Sequence, residues 1–174
     1  MEGIIYLDNA ATTFPKPVEV YDYMDSFYRN YGANAGRGGH SLSRMATKII
    51  DETRELLCDL VDYNKPERVI FTPSATIALN QILRGLDWST IHNVYISPFE
   101  HNAVVRTLYS LKQEYSFNIF EIEFNKFTFE LDYQRLSQMM AHNKPDLFVL
   151  THISNVLGLI LPIEEIIIAG EKYQ

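Results

Sequence analysis

The fold is decided by the stretch Val94-Tyr-Ile-Ser97, which is followed by a helical pattern from Asn102 to Tyr115 and a second apolar run from Phe117 to Phe124. Short runs rich in β-branched and aromatic residues predict strands, and the amphipathic segment between them predicts a helix. Strands that alternate with helices in this way are typical of a parallel sheet. The stretch therefore predicts an α/β fold, with a mostly parallel sheet flanked by helices.

The same alternation extends in both directions from this stretch. Before it, we predict a strand at Val69-Ile-Phe-Thr72 and a helix from Thr76 to Leu86. After it, we predict a helix capped by Asp132 and carrying Leu136, Met139 and Met140, a strand at Leu147-Phe-Val-Leu150, and a last helix that begins at Pro162 and has Glu164 and Glu165 near its positive end.

Two expectations concern burial within these elements. In the helix from Asn102 to Tyr115, we expect Val105, Leu108 and Tyr109 to face inward. The strand from Leu147 to Leu150 is continuously apolar, which is typical of a strand covered on both faces.

Domain organisation follows from the same pattern. Residues 41–174 are predicted to form one α/β domain, and residues 1–40 an irregular arm with a glycine-rich loop. Apolar residues recur at three- and four-residue steps from Ser41 to Val61, which predicts an amphipathic helix. Cys58 lies in this helix, and we predict a structural role for it because free cysteine is usually a small buried hydrophobe.

Composition limits the classes of function. With 174 residues and 47% hydrophobic residues, the chain is long enough for a globular domain with a substantial core. A net charge of −7, with 15 dispersed basic residues, argues against a nucleic-acid-binding face. The longest apolar stretch, Val156 to Ile163, is far shorter than the roughly 20 residues that span a bilayer. A single cysteine and no visible secretory signal favour the cytoplasm, so we predict no membrane partner.

The segment Thr72-Pro-Ser-Ala-Thr76 joins a predicted strand to a predicted helix. The free amides of the first helical turn and the hydroxyls of Ser74 and Thr76 converge there, a geometry that suits a phosphate group. The alternative is an ordinary turn in which Ser74 or Thr76 is the N-cap.

Two further polar residues follow predicted strands, at the edge where ligands bind in open α/β folds. His101 is one, and the alternative for it is a capping or surface residue. Asn155 is the other, and its amide both donates and accepts hydrogen bonds. The alternative for Asn155 is a turn residue that stabilises its own backbone. We expect no catalytic role for His152.

The loop from Gly32 to His40 contains Asn34, Arg37 and His40. Its glycines give backbone freedom and exclude a stable helix. A P-loop is also excluded, because that motif ends in Gly-Lys-Ser/Thr and no such ending is present.

Five segments together resemble one protein family. They are Tyr6-Leu-Asp-Asn-Ala-Ala-Thr-Thr13, Gly32-Ala-Asn-Ala-Gly-Arg-Gly-Gly-His40, Thr72-Pro-Ser-Ala-Thr76, Glu100-His101 and Ser154-Asn-Val-Leu-Gly158. Their order and approximate spacing resemble the N-terminal portion of the class V aminotransferase and cysteine desulfurase group, which are pyridoxal 5′-phosphate (PLP) enzymes. The resemblance implies the incomplete large domain of a fold type I PLP enzyme.

The resemblance assigns roles in cofactor binding. Ser74 and the Ala75-Thr76 step would bind the PLP phosphate, His101 would stack on the pyridine ring, and Asn155 would reach the phenolic oxygen and the substrate carboxylate. Ile77 replaces the acidic residue that usually follows the threonine, but this change leaves the backbone amides intact.

Residues near the substrate are also implied. Asn9, Asn34, Arg37 and His40 match segments that line the family's pocket, and the glycine-rich loop is often contributed across a dimer interface. The resemblance therefore implies an amino acid substrate and a homo-oligomer.

The implied activity of the full-length parent is that of a cysteine desulfurase, which converts cysteine to alanine while transferring sulfur. A selenocysteine lyase or a class V aminotransferase is the alternative. A noncatalytic short homologue that associates with a partner is an alternative of a different class.

No catalytic residue and no metal ligand are predicted in this chain. The family's Schiff-base lysine and nucleophilic cysteine lie later in the family's sequence. The lysines present here lie outside any Ser-x-His-Lys context: Lys16, Lys48, Lys65, Lys112, Lys126, Lys144 and Lys172. We therefore expect the chain alone to be inactive and to bind PLP weakly or not at all.

Overall fold

A computed structural model of the protein describes residues 4–36 and 38–173. The helices are α1 (Val18–Tyr31), α2 (Ser41–Leu60), α3 (Ala75–Arg84), α4 (Asn102–Leu111), α5 (Tyr133–His142) and α6 (Ile163–Glu171), with a short 3-10 turn at Pro66–Arg68. The strands are β1 (Asn93–Ile96), β2 (Asn118–Glu121) and β3 (Leu147–Val149). The chain divides between Phe71 and Thr72 into two compact units.

The first unit contains α1 and α2. The predicted helix beginning at Ser41 is confirmed as α2, and Cys58 within it is buried, with 3% of its surface exposed. The expectation of an irregular segment before Ser41 is wrong for α1, which begins directly after Pro17. Proline fixes φ near the helical value, so it favours a helix start at this point.

The predicted strand at Val69–Thr72 is also wrong. The backbone is extended at Val69 but pairs with no strand in the described residues. The N–H of Val69 donates to the carbonyl of Pro66, and its carbonyl accepts a hydrogen bond of 3.2 Å from Arg54 Nε. Both backbone groups of Val69 are therefore already bonded within the first unit.

The second unit contains a parallel sheet in the order β2-β1-β3. The central strand places Tyr95 opposite Phe120 on one side and Phe148 on the other. Centroid distances of 5.1 Å and 5.7 Å join the Tyr95 ring to these two rings. The predicted α/β fold with a mostly parallel sheet is confirmed.

Successive side chains of β1 point in opposite directions, so both faces of the sheet present apolar residues. Helices cover both faces. Val94 and Ile96 belong to a buried cluster with Leu108 of α4, and Tyr95 belongs to a second cluster with Ile166 of α6. Each face thus buries its own apolar side chains.

The inward face of α4 differs from the expectation. Leu108 is buried as predicted, and Val105 is half-buried, but Tyr109 is 57% exposed. The buried face of the helix is instead formed by Ala103, Val104, Thr107, Leu108 and Leu111. These positions follow the 3.6-residue period, and Tyr109 falls outside the stripe they make.

Strand β3 is shorter and less covered than its apolar sequence indicates. It spans Leu147–Val149, and all of its residues are half-buried. The reason is its place at the edge of the sheet. Its start is fixed by Asp146, whose Oδ2 accepts hydrogen bonds from the N–H groups of His92 and Asn93 at 2.9 and 2.8 Å.

The last two helices agree with the sequence. Asp132 caps α5 by accepting a hydrogen bond of 2.9 Å from the N–H of Arg135. Helix α6 follows Pro162 and has both glutamates in its first turn. Within the described residues, no helix combines the length and the apolar character needed to cross a bilayer.

Candidate functional site

The start of α3 presents free backbone amides. Ser74 is the N-cap, and its Oγ accepts a hydrogen bond of 3.3 Å from the N–H of Ile77. Thr72 supports this turn by donating from Oγ1 to the carbonyl of Ser74 at 2.9 Å. The N–H groups of Ala75 and Thr76 in the first turn have no helical acceptor, and the helix dipole makes this end partially positive.

His101 begins the neighbouring helix. Its Nδ1 accepts a hydrogen bond of 3.0 Å from the N–H of Ala103, so it is the N-cap of α4. In the neutral ring, the proton then lies on Nε2, because Nδ1 is the acceptor. This bond fixes one edge of the imidazole, while the residue itself is exposed.

Thr76 and His101 line one cavity, which has a volume of about 370 Å³ and lies between α3 and α4. Asn80 and Arg84 of α3 and Arg106 of α4 are also in its wall. The two arginines add positive charge, although Arg84 also lies 3.9 Å from a carboxylate oxygen of Glu114. The cavity therefore runs from the N-terminus of α3 to its last turn, where Arg84 lies, and Arg106 adds a second positive charge from α4.

Asn155 lies in a tight turn after β3. The N–H of Ser154 donates to the carbonyl of Leu159, and Gly158 at the end of the turn has a φ of +66° that favours glycine. Asn155 is exposed and is not among the residues that line the cavity. The structure thus brings Thr76 and His101 together and leaves Asn155 outside their cavity, on the loop that follows β3.

The substrate-side predictions fall in the first unit. Asn9 Oδ1 accepts a hydrogen bond of 3.2 Å from the N–H of Phe14, and Asn34 is exposed. His40 caps α2 by accepting from the N–H of Ser43 at 3.2 Å. Arg37 lies outside the described residues. Their roles toward a substrate stay predictions.

Sequence reasoning missed several residues of the cavity. Asn80 and Arg84 follow Thr76 at steps of four, which is the spacing of one helix face. This four-residue spacing is the sequence signal that indicates a shared helix face for the three residues. The sequence indicates Glu100 only as the neighbour of His101, yet its Oε1 accepts hydrogen bonds of 2.6 Å from Ser97 Oγ and from the N–H of Thr151.

The fold and the cavity define an α/β protein whose candidate site lies where two helices begin beside a parallel sheet. The chain belongs to the aminotransferase class-V family, whose model matches residues 5–174. This membership confirms the resemblance in the sequence.

Curated relatives and solved structures agree with this assignment. A probable cysteine desulfurase of Vibrio cholerae is 30% identical over 172 residues, which are 97% of this chain and 42% of that protein. The apo structure of a cysteine desulfurase from Thermococcus onnurineus NA1 is 28% identical, with a TM-score of 0.84, and the match covers 98% of this chain and 42% of that one. The chain therefore spans about 40% of the length of the relatives it matches.

A cofactor-bound structure has the same fold. It is described as C-DES with glycine covalently linked to the PLP cofactor, and it is 17% identical with a TM-score of 0.69 over 90% of this chain and 40% of that one. The fold type I architecture expected from the sequence is therefore confirmed.

Proposed function

We propose that this chain supplies the N-terminal part of the cofactor site of a PLP-dependent cysteine desulfurase. The observation that carries the proposal is the shared cavity of Thr76 and His101. Thr76 would offer its backbone amide and its hydroxyl to a phosphate, and His101 would offer a flat ring to a heterocycle, so both halves of PLP would meet a suitable group at one place.

The residues present fit this cofactor chemically. A phosphate at the N-terminus of α3 would accept hydrogen bonds from the N–H groups of Ala75 and Thr76, beside the Ser74 cap. Arg106 of α4 adds positive charge to the cavity wall, and Arg84 adds it at the other end of the cavity, in the last turn of α3. The cavity volume of about 370 Å³ falls within the roughly 300–1,000 Å³ typical of small-molecule sites.

His101 would orient the pyridine ring by offset stacking, which contributes roughly 1 kcal/mol. Its hydrogen bond with the N–H of Ala103 holds the imidazole in one orientation, so little ordering remains when a ring binds. Asn155 would contact the phenolic oxygen and the substrate carboxylate through its carboxamide. When bound, PLP supplies the electron sink for bonds broken at the substrate α-carbon.

The substrate and reaction belong to the full-length protein. Cysteine is proposed as the substrate, with alanine and transferred sulfur as products, because the curated relatives are described as probable cysteine desulfurases. Selenocysteine lyase and class V aminotransferase chemistry are the alternatives. Homo-oligomer formation and a cytoplasmic location stay predictions.

We further propose that this chain alone is inactive and binds the cofactor reversibly. Its lysines lie outside a Ser-x-His-Lys context, and a lysine is what forms the covalent bond to PLP in such enzymes. After incubation with PLP and reduction with borohydride, peptide mapping should find no lysine labelled stoichiometrically. Stoichiometric labelling of one lysine would contradict this part of the proposal.

The cofactor proposal is tested with pyridoxamine 5′-phosphate, which has no aldehyde and therefore reports noncovalent binding only. Its binding, followed by fluorescence, should saturate and should weaken in Thr76→Ala and His101→Ala. Thr128→Ala and His142→Ala remove the same side chains from exposed positions outside the cavity and should bind like the parent chain. Absence of saturable binding would favour the noncatalytic homologue instead.

A further inference from the structure

Glu100 joins two strands just beyond the end of the sheet. Its Oε1 lies 2.6 Å from Ser97 Oγ, which follows β1, and 2.6 Å from the backbone nitrogen of Thr151, which follows β3. Both groups donate to the carboxylate, and such charge-assisted bonds are stronger than neutral ones. Glu100 is half-buried, which limits competition from water.

These bonds continue the connection between β1 and β3 where the backbone pairing stops. The last paired residues are Ile96 and Val149. Ser97 is 1% exposed and also accepts a hydrogen bond of 3.3 Å from the N–H of Phe99. The segment from Ser97 to Glu100 is therefore held in one conformation.

Thr151 leads directly to the turn that carries Asn155. That turn is the tip of a short hairpin, in which the N–H of Leu161 donates to the carbonyl of His152 and Ser154 bonds to Leu159. Thr151 thus lies at the base of the hairpin that carries Asn155. On the other side, His101 is covalently next to Glu100, and its ring is held by Ala103.

We propose that Glu100 is a positioning residue that fixes the His101 ring relative to the Asn155 carboxamide. It touches no ligand itself. The inference rests on the proposed function, in which these two side chains contact one PLP molecule from different loops. A shift of either loop would misalign the ring-stacking group and the carboxamide.

The chain offers a matched control at the N-terminal ends of the same two strands. Asp146 Oδ2 accepts from the N–H groups of His92 and Asn93, and so joins β1 and β3 at their starts. Asp146→Ala removes a carboxylate that accepts two hydrogen bonds, as Glu100→Ala does. Asp146, however, lies at the starts of the two strands, whereas His101 lies beyond their ends. A purely structural role predicts the same behaviour for both variants.

The test is NMR of the full chain, without ligand and with pyridoxamine 5′-phosphate. In Glu100→Ala, the hydrogen-exchange rate of the Thr151 backbone amide should rise about tenfold, which is the factor expected for loss of one charge-assisted hydrogen bond. The His101 ring signals and the Asn155 side-chain amide signals should shift together, and the dissociation constant should rise about tenfold. Asp146→Ala should change none of these quantities.

Glu100→Gln keeps an acceptor oxygen but loses the charge, so its shifts should have the same direction and a smaller size. Glu100→Gln therefore tests the positioning role of Glu100 if Glu100→Ala does not fold. The proposal is overturned when the His101 and Asn155 signals stay at their original positions in the Glu100 variants, or move equally in Asp146→Ala. Failure of the parent chain to bind the ligand would overturn the proposed function, whereas the ligand-free signals still decide the role of Glu100.

Discussion

Asn80 and Thr107 join α3 to α4 through their side chains, with 2.9 Å between Thr107 Oγ1 and Asn80 Oδ1. Asn80 Nδ2 in turn donates to the carbonyl of Thr76 at 2.9 Å. Thr107 Oγ1 also lies 2.7 Å from the carbonyl of Ala103. The Thr107 hydroxyl has a single hydrogen, so Asn80 Oδ1 and the carbonyl of Ala103 share it, and these contacts link Thr76 to the first turn of α4 in the wall of the candidate site.

A double-mutant cycle of Asn80→Ala and Thr107→Val should reveal this link. Thr107 is 4% exposed, so after Asn80→Ala its hydroxyl keeps only the carbonyl of Ala103 as a partner, and Thr107→Val removes the donor that Asn80 Oδ1 faces. We expect a coupling free energy of about 1 kcal/mol between the two substitutions, measured by urea unfolding. Strictly additive effects of the two substitutions would show that the bond contributes nothing to folding.

The capping and stacking roles of His101 can be separated. Asparagine is a strong N-cap but has no aromatic face, so His101→Asn should keep the melting temperature and bind pyridoxamine 5′-phosphate about fivefold more weakly. His101→Phe keeps an aromatic face and loses the cap, so it should lower the melting temperature and largely retain binding. Equal binding by His101→Asn and the parent chain would assign His101 to capping alone.

Stability at high pH should depend on Tyr95. Burial raises the pKa of Tyr95 to about 12, and its hydroxyl donates to the carbonyl of Asn143 at 2.7 Å. An unfolded tyrosine ionises near pH 10, so the folded state retains the proton where the unfolded state loses it. The contribution of the protonated Tyr95 hydroxyl to the free energy of unfolding is complete below about pH 10 and is lost between about pH 10 and 12.

Urea unfolding between pH 8 and 12 measures this effect. The free energy of unfolding should fall by up to roughly 1.4 kcal/mol per pH unit from this group alone. Tyr95→Phe removes the titrating group, so its curve should be flatter in this range. Parallel curves for Tyr95→Phe and the parent chain would exclude Tyr95 as the cause.

Self-association should depend on the apolar hairpin after β3. Ile153 and Ile160 pair across it and are 54% and 66% exposed. Contact between water and these paired apolar side chains is unfavourable. Their burial against a second copy of the chain is therefore expected to lower the free energy of the dimer relative to two monomers. Ile153→Thr with Ile160→Thr should shift sedimentation equilibrium toward the monomer.

Phe127 provides the control for that experiment. Its side chain is 94% exposed at the tip of a different loop, so Phe127→Ser removes apolar surface elsewhere. We expect no change in association from this substitution. A parent chain that stays monomeric at high concentration would contradict the prediction directly.

Local signals in the sequence predicted much of the second unit. Asp132 before an apolar period and Pro162 before Ile163 mark helix starts by interactions within one turn, and both predictions are confirmed. Helix α1 is not among the predicted elements, because residues 1–40 are predicted to form an irregular arm. Pro17 was the local signal that could have located its start.

Other features depend on partners distant in sequence. The run Val69–Thr72 has strand-like residues, but a strand also needs a neighbour to pair with, and both backbone groups of Val69 bond to Pro66 and Arg54 instead. Glu100 and Thr151 are 51 residues apart, so no local pattern indicates their bond. Motif resemblance predicts that Thr76, His101 and Asn155 contact one cofactor, and the structure places Thr76 and His101 in one cavity with Asn155 outside it.

The most direct test of the shared cofactor site is an NMR titration of the full chain with pyridoxamine 5′-phosphate. We expect the backbone amide signals of Ala75 and Thr76 and the ring signals of His101 to shift along one saturable curve, with a single dissociation constant. Inorganic phosphate alone should move only the amide signals. Independent curves for the amides and the ring, or no saturable shift, would contradict the claim that one ligand is held by both groups.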